Sequence, residues 1–205
     1  MNTRKNRWGI YALTLLAASL MACAGQKTGK AETTESAATT DALTTTNNSV
    51  TVQADSVGYI VQVGDMAPDF TMALTDGKEV TLSSLRGKVV MLQFTASWCG
   101  VCRKEMPFIE RDIWQKHKGN PDFVLMGVDR DEPLEKVQSF IQATKVTYPL
   151  GLDPGADIFA KYAVRDAGIT RNVLIDKTGR IVKMTRLYNK VEFASLVQAI
   201  DELLR

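Results

Sequence analysis

A buried strand that runs straight into a C-x-x-C helix leaves few folds open to a chain, and this sequence holds that arrangement once. Val89-Val90-Met91-Leu92-Gln93-Phe94 is a nearly continuous apolar run. Such a run suits a strand buried on both faces, as in a sheet covered by helices. Cys99 to about Lys116 then reads as a helix interrupted by Pro107, which lacks an N–H and crowds the preceding turn. Phe123 to Val128 is a second buried strand. Leu134, Val137 and Ile141 repeat at helical spacing, with Pro133 where a first turn accepts proline. Asp153-Pro154 reads as N-cap and first position of a short helix through Tyr162. Two hairpins are expected: Thr71–Ala73 with Glu79–Thr81 around Asp76-Gly77, and Val173–Ile175 with Ile181–Met184 around Asp176–Gly179. Val191, Ala194, Val197, Ile200 and Leu204 predict the apolar face of a closing helix. The order β-α-β-α-(α)-β-β-α behind an N-terminal hairpin predicts an α/β fold, a mixed central sheet with helices on both sides.

The chemistry centres on Trp98-Cys99-Gly100-Val101-Cys102. Residues three apart on a helix share one side, so the two sulfurs can reach disulfide distance. At the helix N-terminus, unpaired N–H groups and the dipole favour a thiolate. That position can bring a cysteine pKa from about 8.5 to between roughly 3.5 and 7.5. Cys99 is therefore expected to be the exposed nucleophile, and Cys102 the shielded thiol that resolves a mixed disulfide. Cys102, Met106, Ile109 and Ile113 step along one inward face, and Glu105 lies near its edge. A carboxylate there can take or relay the proton of the resolving thiol; the competing reading is a solvated glutamate beside Arg103 and Lys104. Half of a zinc site is the other use of C-x-x-C, but zinc takes about four ligands. The chain offers only His117 and Cys23 besides the pair. No metal and no dissolved cofactor are expected.

The N-terminus is read as targeting sequence. Arg4, Lys5 and Arg7 precede an apolar stretch from Trp8 to Leu20. At about a dozen residues this is shorter than the roughly 20 of a membrane-spanning helix, and it has the length of a signal-peptide core. Leu20-Met21-Ala22-Cys23 resembles a lipobox, which implies a lipidated Cys23 as first mature residue; an ordinary secretory signal is the alternative. Removing the three basic residues takes the formal charge from +2 to −1, and the body has no basic run of the kind that binds nucleic acid. From Ala24 to about Val57 large apolar residues nearly vanish amid Thr, Ser and Ala, a composition that cannot offset its ordering entropy. The expected organisation is a signal peptide over 1–22, a flexible tether over 23–58 and a globular domain over 59–205. The absence of an acidic residue just after Cys23 favours, by resemblance, the outer membrane over the inner.

Trp98-Cys99-Gly100-Val101-Cys102-Arg103-Lys104-Glu105-Met106-Pro107 resembles the active-site segment of TlpA/ResA-like thioredoxins. Gly64–Phe70, Leu82–Val90 and Val173–Val182 are similar to other segments of that family, and the likeness runs from about Val63 to Leu204. It implies a thioredoxin-like fold and dithiol-disulfide exchange on other envelope proteins in the periplasm. It also implies an active-site role for Glu105, reduction rather than oxidation of clients, and a membrane electron donor that regenerates the dithiol. A monomer is the default state.

Two departures stand out. Gly100-Val101 lies between the cysteines, where proline often precedes the second. Thr170 stands where the family usually has a cis-proline. Cis geometry before a non-proline residue costs ~2.5–4 kcal/mol, so Ile169-Thr170 is expected to be trans. The loop is still expected to face Cys99 and to help hold a client, with the Thr170 hydroxyl near sulfur. Trp98 is expected to offer clients an apolar contact. Asp129, Asp131, Glu132 and His117 read as surface or strand-end residues. The rival readings are a peroxiredoxin-like thiol peroxidase, with Thr95 four residues before Cys99, and a non-catalytic lipoprotein that binds haem or metal.

Overall fold

The computed structural model describes residue 55 and residues 57–205. The expected signal peptide, Cys23 and most of the expected tether lie outside those residues. Val57 and Gly58, at the tether's end, already touch the domain: Arg171 donates to the Val57 carbonyl and Val164 N–H to that of Gly58.

β1 (Thr71–Ala73) and β2 (Glu79–Thr81) form the N-terminal hairpin. The central sheet contains β3 (Val89–Thr95), β4 (Phe123–Arg130), β5 (Leu150–Asp153), β6 (Arg171–Ile175) and β7 (Ile181–Arg186). Its order is β5-β4-β3-β6-β7. The β3/β4 and β4/β5 pairs are parallel, and β3/β6 and β6/β7 are antiparallel. Every residue of β3 is buried, Gln93 and Thr95 included, as its nearly continuous apolar run suggests. Each large apolar side chain so buried is worth about 1.5–3 kcal/mol.

The two faces of β3 enter different cores. Val90, Leu92 and Phe94 pack with Phe70, Met72, Phe159 and Tyr162, where Phe94 sits 5.5 Å from the Phe159 ring and 5.3 Å from that of Tyr162. Val89 and Met91 pack against α1 (Gly100–Phe108), α3 (Leu134–Thr144) and α4 (Lys190–Leu203) through Met106, Phe140 and Leu196. All three long helices thus share one face. On the other, the helix expected after Asp153 is replaced by two short 3₁₀ turns, Pro154–Ala156 and Phe159–Lys161. Gly155 and Ala156 both take left-handed φ, which ends the first turn. The buried Asp153 carboxyl caps the second instead, accepting from the N–H groups of Ile158 and Phe159 at 2.7 and 2.8 Å.

Other expectations need correction. β5 was absent from the sequence reading. Pro133 is the N-cap of α3 rather than its first helical residue. The inward face of α4 is Phe193, Leu196 and Ile200, while Val191 is 78% exposed. Phe193 takes the inward position because it packs edge-on against the stacked Phe108–Tyr188 pair. Beyond Pro107 the helix widens into a π-type stretch over Ile109–Trp114 before a last turn, α2 (Gln115–His117). Ile109 and Ile113 remain buried through it.

Candidate active site

β3 ends at Thr95, and four residues later Cys99 caps α1. Cys99 keeps extended backbone angles, and its sulfur accepts from the Cys102 N–H at 3.1 Å. A helix N-terminus offers N–H groups with no intrahelical partner; here one of them points at Cys99 Sγ. The two cysteines form a disulfide, with Cα atoms 5.3 Å apart. Cys99 is the more accessible of the two, but at 7% exposure it is largely covered rather than exposed as expected; Cys102 is fully buried. The cover comes in part from Thr170, whose Oγ1 lies 3.2 Å from Cys99 Sγ and 3.3 Å from Cys102 Sγ. The loop before β6 therefore faces the pair, and no cis peptide occurs among the described residues. Ile169 packs its side chain into the core, so only its backbone remains to meet a client. Gly100 is exposed and Val101 half-buried beside the disulfide.

Trp98 is 59% exposed at the edge of the site. The Arg130 guanidinium lies over its ring at 5.3 Å and also donates to the carbonyls of Arg165 and Ala167. One arginine thus links Trp98 to the loop that leads to Thr170. The preceding residue, Ser97, is held by Glu132, which accepts from both the Ser97 N–H and its hydroxyl. Arg103 Nε donates to the Ser97 carbonyl at 2.8 Å.

Glu105 is 1% exposed, which rules out the solvated alternative. Asn172 Nδ2 donates to its Oε1 at 2.7 Å. Burial pushes the Glu105 carboxyl up to about 7, while the hydrogen bond from Asn172 works in the opposite direction. A carboxyl that titrates near neutrality one helical turn from a thiol can both accept and return a proton. Asp129, read from sequence as a surface or strand-end residue, is the penultimate residue of β4 and is fully buried. Burial, then the neighbouring Glu132 and Asp153, raises it to about 8. His117 pairs with Asp201 at 2.9 Å, far along α2 from the cysteines. Thr95 turns its hydroxyl toward Met106 Sδ at 3.9 Å, so it does not serve Cys99 as a peroxidase threonine would.

Sequence reading missed Gln93, Asn172, Tyr148, Ser97 and Glu132 around the site. A signal existed for the first two. Gln93 and Asn172 are polar residues in strands made mostly of large apolar ones, and a polar side chain in a fully buried strand needs a partner.

Residues 62–200 match the Redoxin family model. The thiol-disulfide oxidoreductase ResA of Bacillus cereus is 32% identical over 123 residues, which span 60% of this chain and 69% of ResA. ResA of Bacillus subtilis is 32% identical over 124 residues, 60% of this chain and 67% of its own. Among solved structures, a candidate protein disulfide isomerase from Bacteroides thetaiotaomicron is 80% identical, with a TM-score of 0.71 over 72% of this chain and 93% of that one. A candidate thiol:disulfide interchange protein DsbE from Chlorobium tepidum is 28% identical, with a TM-score of 0.63 over 71% of this chain and 99% of that one.

Proposed function

Since the chain belongs to the redoxin family and, within it, to the ResA-like thiol-disulfide oxidoreductases, we propose that it reduces disulfides of other envelope proteins through Cys99 and Cys102. The observation that carries this reading is the asymmetry of the pair: one sulfur at a helix N-terminus with residual access, the other buried one turn in beside a buried carboxyl. In the dithiol state the Cys99 thiolate attacks a client disulfide. A Cys99–client bond forms, the client S–S bond breaks, and the departing client sulfur takes a proton. Cys102 then gives its proton to Glu105 and attacks Cys99 Sγ. The Cys99–Cys102 bond forms, and the client's second sulfur leaves as a thiolate. Two electrons have passed from the dithiol to the client, and a membrane electron donor returns them.

Thr170 donates its hydroxyl to the Cys99 thiolate, while Trp98, Gly100, Val101 and the Ile169 backbone form the contact surface for the client. Cys23 carries the lipid anchor, the segment to residue 58 is the tether, and the domain works in the periplasm, with the outer membrane as the anchoring membrane. The protein acts as a monomer. Expression of the full chain as Cys102→Ser tests the exchange step. Mixed disulfides with envelope proteins are expected to accumulate, to be released by reductant and to vanish when Cys99→Ser is added; adducts that persist without Cys99 contradict the assignment. Cell fractionation of Cys23→Ser tests the anchor, which predicts loss of the protein from the membrane fraction.

A further inference from the structure

Gln93 and Asn172 are directly opposed on the antiparallel pair β3/β6, so their side chains share a face. That face looks onto α1, and the two amides flank Glu105. Asn172 Nδ2 makes two bonds, to Glu105 Oε1 at 2.7 Å and to Thr185 Oγ1 on β7 at 3.0 Å. Gln93 Oε1, opposite, accepts from the Tyr148 hydroxyl at 2.6 Å. Gln93, Glu105, Asn172 and Tyr148 are all buried, and Thr185 nearly so. Buried polar side chains thus form two linked groups, Tyr148 with Gln93 and Glu105 with Asn172 and Thr185, and the one carboxyl belongs to the second.

The chemistry around that carboxyl is one-sided. Amide N–H groups aimed at a carboxyl stabilise its charged form. Neither amide titrates, so the bias holds at every working pH. Among the described residues, the titratable groups nearest Glu105 are Tyr148, whose burial and the Glu105 charge keep it neutral, and Cys102 of its own helix. The residues of β3, β6 and β7 at this level, Gln93, Asn172 and Thr185, are neutral, and the one cation farther along that face of β7, Lys183, is turned to Ser195 on α4.

We infer that Asn172 is a positioning residue for the resolving step: it holds the Glu105 carboxyl in one place and favours its ionised form, so that it can take the Cys102 proton. In that transfer Cys102–SH and Glu105–COO⁻ become Cys102–S⁻ and Glu105–COOH, and the new thiolate displaces the client from Cys99. Thr185 orients the amide, since its oxygen accepts the second N–H. The inference rests on the proposed role of Glu105.

The reaction of the fully reduced full-length protein with 5,5′-dithiobis(2-nitrobenzoate) separates the two steps. The first nitrothiolate leaves when Cys99 attacks, and the second when Cys102 resolves the adduct. In the wild type the second phase is expected to accelerate with pH through an inflection near 7. Glu105→Gln is expected to abolish that inflection. Asn172→Leu is expected to move it upward by about one unit and to lower the ratio of second- to first-phase rates about fivefold at pH 7, since a hydrogen bond to a charged group is lost. With Glu105→Gln already in place, Asn172→Leu should produce no further shift. Thr185→Val, which keeps side-chain shape, is expected to move the inflection in the same direction by less, and decides the matter if Asn172→Leu does not fold. An inflection unmoved by both overturns the role of Asn172 while Glu105 keeps its own. An inflection that survives Glu105→Gln overturns the role of Glu105 itself.

Discussion

The hydroxyl of Thr170 lies 3.2 Å from Cys99 Sγ, across 71 residues of chain. It is also 3.3 Å from Cys102 Sγ, so one oxygen touches both sulfurs of the redox pair. A side chain that could only pack there would leave the Cys99 thiolate dependent on the helix N–H groups alone. Thr170→Val keeps the shape and removes the donor. With a hydrogen bond to a charged group worth about 1.5–3 kcal/mol, the Cys99 pKa is expected to rise by about one unit or more. Thiolate absorbance at 240 nm against pH in the reduced protein measures it, and an unchanged pKa contradicts a donating hydroxyl.

Burial of Glu105 has a cost that depends on pH. Its folded pKa of about 7 lies above the 4.5 of an unhindered glutamate. Below about pH 4.5 the group is protonated whether the chain is folded or not, and the penalty is absent. Between 4.5 and 7 the folded chain holds more protons than the unfolded one, so stability falls as pH rises. Above 7 the full penalty, roughly 3 kcal/mol, is present. Glu105→Gln is therefore expected to stabilise the protein at pH 8 and to change little at pH 4, as read by urea unfolding at both.

Much of this was legible in the sequence, and what was not has physical reasons. β3, β4, β6 and β7 carry dense runs of large apolar residues, and the C-x-x-C at a strand–helix junction announces its chemistry. β5 does not read as a strand, because it is four residues long and contains Gly151. A Cβ at that glycine would lie 2.6 Å from Met72 Sδ, so a larger residue would have to displace the buried Met72 side chain. α4 offers two overlapping apolar stripes, and only the aromatic cluster around Phe108 decides between them. The partners of Glu105 depend on the Gln93–Asn172 register, a pairing across 79 residues that no local pattern encodes.

Asp153 holds the segment that covers the other face of the sheet. Its carboxylate is buried and accepts two backbone N–H groups. Asp153→Ala leaves both donors without a partner, and a loss of about 3 kcal/mol is expected. Chemical unfolding measures it; a loss below about 0.5 kcal/mol would mean that the turn is held by Phe159 and Tyr162 packing alone.

Trp98 precedes Cys99 and is 59% exposed. If it meets clients, Trp98→Ala is expected to raise KM for a protein disulfide about tenfold, the scale of an exposed aromatic anchor. Reduction of a small aliphatic disulfide should respond far less. Equal losses on both substrates would assign Trp98 to packing with Arg130 rather than to client contact.

The central claim is that Cys99 and Cys102 cycle as one two-electron couple. Equilibration of the full chain against graded ratios of reduced and oxidised dithiothreitol or glutathione, followed by tryptophan fluorescence and thiol alkylation, tests it directly. The account predicts a single reversible two-electron transition in which both thiols appear together, lost entirely in Cys99→Ser. A pair that stays oxidised under strong reductant, or thiols that titrate independently, would contradict it.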